Sequence, residues 1–132
     1  MMRQLLLVLL LAATLMGCKR AAVVQDVTDQ PIVRYDAKVL ALEDVGRAIM
    51  LGGTDQGWQM QKAGPGHMIG TLNVRGKHTA VVDVRYDTES YSVHYKDSTN
   101  LDFKPPNSIH NNYNRWVAYL VRSINSSLQR VE

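Results

Sequence analysis

Asp83, Ser92 and His94 are the residue types of a nucleophilic hydrolase, and a hairpin can bring them together. A two-residue turn at Thr88-Glu89 sets Asp83 opposite His94, with Ser92 two residues away and His67 and Arg85 on adjoining positions. The same group also reads as a metal site, with two histidines and an aspartate on neighbouring strands. Neither chemistry is well served. Serine and histidine two apart on a flat strand point the same way without a strained elbow or an oxyanion hole, and Arg85 and Lys96 would oppose a cation. Polar cross-strand pairing on a wet sheet face is the expected role. A second group lies in YKDSTNLDF and the following IHNNYN, where Asp97, Ser98, Asn100 and His110 make the densest polar cluster of the chain. It is a candidate binding loop, or equally a hydrogen-bonded connection that orients the last helix. Arg115 and Tyr119, off the apolar stripe of that helix, form a candidate contact pair. GPGHMIG lacks the lysine and the strand-to-helix setting of a phosphate loop and reads as a turn, and His78 has no metal-ligand spacing to another histidine. No catalytic residue, metal ligand or cofactor is assigned.

The elements that must position these groups follow from periodicity. From Asp36, a plausible cap, Ala41, Leu42, Val45, Ala48, Ile49 and Gly52 fall on one helical face, and Gly52-Gly53 ends the run. The period then becomes two. Trp58 and Met60 mark a short strand; Met68, Gly70, Leu72 and Val74 a second; Ala80, Val82, Val84 and Tyr86 a third; Tyr91, Val93 and Tyr95 a fourth. The turns at Gly64–Gly66, Arg75–Lys77 and Thr88-Glu89 pair Tyr86 with Tyr91, Val84 with Val93, Val82 with Tyr95, Leu72 with Ala80 and Gly70 with Val82. A last helix is expected from Ser108, its stripe running through Ile109, Tyr113, Trp116, Val117, Leu120, Ile124, Leu128 and Val131. The expected fold is α+β: an N-terminal helix, a four-stranded antiparallel β-meander and a C-terminal helix, both helices packed on one sheet face.

That domain should occupy residues 36–132, enough for one core without disulfides. Residues 18–35 show no helical stripe, and Pro31 interrupts them. They read as a flexible tether spanning roughly 20 to 25 Å as a coil, with docking of Val33 as an edge segment the alternative. Residues 1–17 begin with Arg3 and continue as an apolar run, Leu5 to Met16, broken only by Thr14. The run is short of the ~20 residues a transmembrane helix needs and turns polar at Lys19, which is the pattern of an export signal.

Cys18, the single cysteine, follows Leu15, Met16 and Gly17. The leader with LMGC resembles the lipobox signal of bacterial lipoproteins, a likeness covering the first twenty residues. The resemblance implies that the Cys18 thiol is diacylglycerated, that residues 1–17 are removed, and that the freed amine is acylated. A lone exported thiol without a disulfide partner would otherwise be a reactive liability. Two or three acyl chains make a lasting anchor where one does not. Lys19 in place of aspartate after the cysteine implies sorting to the outer membrane, facing the periplasm. Cleavage removes one cation and no acid, leaving 14 Lys and Arg against 12 acids, a formal charge of +2. With no run of like charge there is no phosphate-tracking stripe, and no nucleic-acid partner is expected. The expected function is that of a lipid-anchored, noncatalytic binding or structural module whose partners are the membrane and an envelope protein or peptidoglycan. The alternative is an anchored small-ligand binder or enzyme using the Asp97–Asn100 loop and the open sheet face.

Overall fold

Between His67 and Thr99 the apolar and polar residues alternate, and this stretch forms the three central strands of the sheet. The computed structural model describes residues 20–132, so the leader and Cys18 lie outside the described residues. In chain order the elements are β1 (Ala21–Val23), β2 (Val27–Pro31), α1 (Leu42–Asp55), β3 (Gln59–Gly64), β4 (His67–Val74), β5 (His78–Tyr86), β6 (Ser90–Thr99), β7 (Ser108–His110) and α2 (Asn112–Arg130). The fold is α+β: two helices, a five-stranded antiparallel sheet of order β2-β6-β5-β4-β3, and a two-stranded sheet of β1 and β7.

All the expected pairs form: Tyr86 with Tyr91, Val84 with Val93 and Val82 with Tyr95, then Leu72 with Ala80 and Gly70 with Val82. One face of these strands is buried through Met68, Leu72, Ala80, Val82, Val84, Tyr91 and Val93. Val45, Ala48 and Ile49 of α1 and Tyr113, Val117, Leu120, Ile124 and Leu128 of α2 join them in a single core, so both helices cover that face. The helices approach closely at Gly52, where a Cβ would stand 2.7 Å from the Ile124 Cα. Ser123 Oγ donates to the Gly52 carbonyl there. The glycine pair expected to end α1 thus lies inside it and serves the crossing.

Residues 20–35 are not a free tether. They form β1 and β2, the second adding a fifth strand to the edge of the sheet beside β6. The reason is polar as much as apolar. Asp26 accepts from the Tyr95 amide, Ser92 Oγ accepts from the Asp29 amide, and Thr28 is hydrogen bonded to His94. Asn114 brackets the strand, accepting from the Gln25 amide and donating to the Val23 carbonyl. Val24, Val27 and Ile32 pack against the core. Beyond β2, Arg34 donates to the Leu128 and Val131 carbonyls at the end of α2, where a cation complements the helix terminus.

Both helices start later than expected. Asp36 binds Arg34 and the Lys38 amide instead of capping α1, which begins at Leu42 with Glu43 and Asp44 in its first turn. The paired guanidinium holds the Asp36 carboxyl well below the usual carboxylate range. Ser108 is a strand residue, and α2 begins at Asn112 after β7 has paired with β1.

Candidate functional site

The sheet face away from the helices carries the Asp83, Ser92 and His94 group, each residue tied to a different neighbour. Asp83 does stand opposite His94 in register, yet its Oδ1 accepts from His67 Nε2 at 2.7 Å, with Lys96 Nζ 3.9 Å from Oδ2. His94 Nε2 meets Thr28 Oγ1 at 2.9 Å, and Ser92 Oγ serves the Asp29 backbone. Incoming β2 therefore engages Ser92 and His94, and β4 engages Asp83 through His67, so the three do not act on one another. Among the described residues no group of three or more His, Cys, Asp or Glu is placed to hold a metal ion.

The four residues expected to share a loop site are divided. A bulge between Val81 and Val82 of β5 lets β6 continue to Thr99, so Asp97 and Ser98 are strand residues paired with Val81 and Ala80. Ser98 Oγ and Tyr95 OH are hydrogen bonded at 2.8 Å, while Asp97 is exposed and accepts from the Ser98 amide. Asn100 and His110, by contrast, are brought together. They line a depression of about 50 Å³ with His78, Leu101, Asn112 and Trp116. Asn100 spans it, accepting from His78 Nδ1 through its carbonyl and donating to the Lys77 carbonyl through its amide. Such a volume suits a water or two, not a small organic ligand, whose sites usually run to hundreds of Å³. A binding loop of Asp97 to Asn100 with His110 is not what this geometry forms.

Arg115 and Tyr119 are both exposed on α2, as expected. The cation nearest the Tyr119 ring is Arg122, 5.8 Å from its centroid. Tyr119 and Arg122 line a shallow hollow of about 370 Å³ with Asp55, Ser123 and Arg130, while Arg115 stands apart from it.

Larger concavities lie where sequence reasoning placed no site. A groove of about 770 Å³ runs between α1 and the β3–β4 turn, lined by Leu42, Gly46, Met50, Lys62, Pro65 and Tyr86 among others. Burial in its floor pushes the Tyr86 phenol up from its ordinary pKa. A second, of about 660 Å³, is bounded by Pro31, Val33, Tyr35 and the last two turns of α2. The segment between β2 and α1 is pinned by the Ile32 amide on the Glu89 carbonyl, by Arg34 and by buried Leu40. The residues between the pins point outward: Val33 is 68 % exposed, Tyr35 93 % and Val39 84 %. Two of them, Val33 and Tyr35, border the second groove. The only signal of the segment in sequence is three apolar residues without a helical or strand period.

No protein-family model, curated protein or solved structure matches the chain.

Proposed function

We propose that the protein is a lipid-anchored envelope lipoprotein whose folded domain acts as a noncatalytic binding or structural module. The carrying observation is the leader ending Leu15-Met16-Gly17-Cys18, in a chain with no other cysteine. The fold supports the second half of the reading. Ser92 and His94 of the open face are engaged with β2 and Asp83 with His67, the depression at Asn100 and His110 has room for no more than a water or two, and the exposed Val33 and Tyr35 border an open groove. The partner sought is an envelope protein or peptidoglycan, with the membrane engaged through the acyl chains on Cys18. Lys19 after the cysteine supports residence in the outer membrane, facing the periplasm.

Radiolabelled palmitate tests this. The wild type should take up label and sediment with outer membranes, and Cys18→Ser should take up none and leave that fraction. An unlabelled wild type that washes from membranes with salt would overturn the anchor.

A further inference from the structure

Arg20, only two residues after Cys18, is bonded to the fold through its carbonyl, and this decides how an anchored domain would stand on its bilayer. Two residues of chain reach at most ~7 Å, so a lipid on Cys18 holds Arg20 at the headgroups. A run of hydrogen bonds identifies what surrounds it. The Arg20 carbonyl accepts from the Asn111 amide, and His110, one residue back, donates its amide to the Leu101 carbonyl. Asn100 then joins His78 and the Lys77 carbonyl. The β4–β5 turn, Arg75 to Lys77, is therefore at the same end of the molecule as the anchor.

That end is cationic. Arg20, Arg75 and Lys77 are all exposed. His78 and His110 line the depression between them with Trp116, an amphipathic ring of the kind that favours membrane interfaces. Against these stand Asp102 beside Leu101, and Asp97 farther back along β6. The opposite end of the same strands carries no such excess, exposed Asp87 and Glu89 of its β5–β6 turn being balanced by exposed Arg85 and Lys62. The sheet is thus basic at the anchor end and charge-balanced at the far end, the two separated by the length of β5, ~30 Å for a nine-residue strand.

We infer that the end bearing Arg20, Arg75 and Lys77 is a docking face for anionic phospholipid headgroups of the bilayer that holds the anchor. The domain stands end-on, and the grooves beside Tyr35 and Tyr86 are presented away from the membrane. This rests on the anchor proposed at Cys18. Anionic headgroups attract the basic end and have no such hold on the charge-balanced far end, so the charge pattern favours this orientation.

The test uses the acylated protein in vesicles of phosphatidylcholine alone or mixed with phosphatidylglycerol, with a spin-labelled lipid headgroup as quencher. Acylation consumes the only native thiol, so Thr99→Cys at the anchor end and Ala63→Cys at the far end each accept a single fluorophore. In anionic vesicles the Thr99 site should be quenched several-fold more than the Ala63 site. That preference should shrink in phosphatidylcholine alone, in molar salt where the screening length is ~3 Å, and in Arg75→Gln with Lys77→Gln. Equal quenching at the two sites in acylated, vesicle-floated protein would overturn the orientation, as would a preference indifferent to lipid charge. The same sample gives its mass first: an unmodified Cys18 in protein that does not float would overturn the anchor itself.

Discussion

Gly52→Ala sets two effects of known sign against each other. In an isolated helix the change is favourable, since glycine in a helix interior costs about 1 kcal/mol relative to alanine. Here the new methyl would stand 2.7 Å from the Ile124 Cα and 2.8 Å from its backbone nitrogen, where contacts between carbon atoms are comfortable near ~3.7 Å. Backbone cannot rotate aside as a side chain does, so α1 and α2 must separate by the better part of an ångström. Overpacking of that kind costs about 1–3 kcal/mol. The separation also stretches the 2.8 Å bond from Ser123 Oγ to the Gly52 carbonyl, a further loss of about 1 kcal/mol. The crossing wins: a net destabilisation of about 1–3 kcal/mol is expected, lowering the Tm by roughly 4 °C for each kcal/mol in a domain of this size. Thermal unfolding followed by circular dichroism measures it. Thr54→Ala, exposed on the same helix, is the control and should unfold within a degree or two of the wild type, about ±0.5 kcal/mol. A Gly52→Ala protein as stable as the wild type, or more so, would refute the close helix approach.

Two buried tyrosines should respond oppositely to phenylalanine. The Tyr91 hydroxyl donates to Asn125 Oδ1 at 2.6 Å, so Tyr91→Phe should lose about 1–2 kcal/mol in a denaturant titration; the Tyr113 hydroxyl is buried with no partner among the described residues, so Tyr113→Phe should be neutral or stabilising. Burial pushes both phenols above their ordinary pKa, so the neutral-form stability is intact below about pH 10 and is lost as pH rises beyond it; each phenylalanine variant should soften that alkaline loss. Val84 is fully buried between Met68 and Val93, and Val84→Asp should place a carboxyl in the core at a cost of several kcal/mol, leaving no cooperative unfolding transition. In hydrogen exchange the amides of Val24, Asp29 and Tyr95 should be protected along with the central strands; exchange of Val24 and Asp29 at free-peptide rates would restore the tether reading.

The central strands were legible because alternation and turn chemistry agree: one pairing brings Met68, Leu72, Ala80, Val82, Val84, Tyr91 and Val93 onto a single buried face. β2 was not, because its docking depends on Asp26, Thr28 and Asp29 meeting Tyr95, His94 and Ser92 more than sixty residues away, and polar pairings at that range leave no local period. The helix starts misled for a related reason. Asp36 has the chemistry of a cap, but a guanidinium two residues earlier takes its carboxylate, and only tertiary structure brings that arginine to the end of α2. The glycine pair carried its meaning in the partner helix: without Ile124 across the crossing, Gly52-Gly53 looks like a terminator. The candidate loop failed at a single bulge. One extra residue opposite Val81 and Val82 turned Asp97 and Ser98 into strand, leaving only Asn100 and His110 of the group side by side.

The account turns on Cys18, and the mass of the mature chain extracted from membranes tests it most directly. The account predicts a protein whose sequence begins at Cys18, heavier than residues 18–132 by a thioether-linked diacylglycerol and an amide-linked acyl chain, and absent from membranes when Cys18 is serine. A mature chain that begins elsewhere, or one that keeps a free thiol at Cys18 and leaves the membrane in salt, would contradict it.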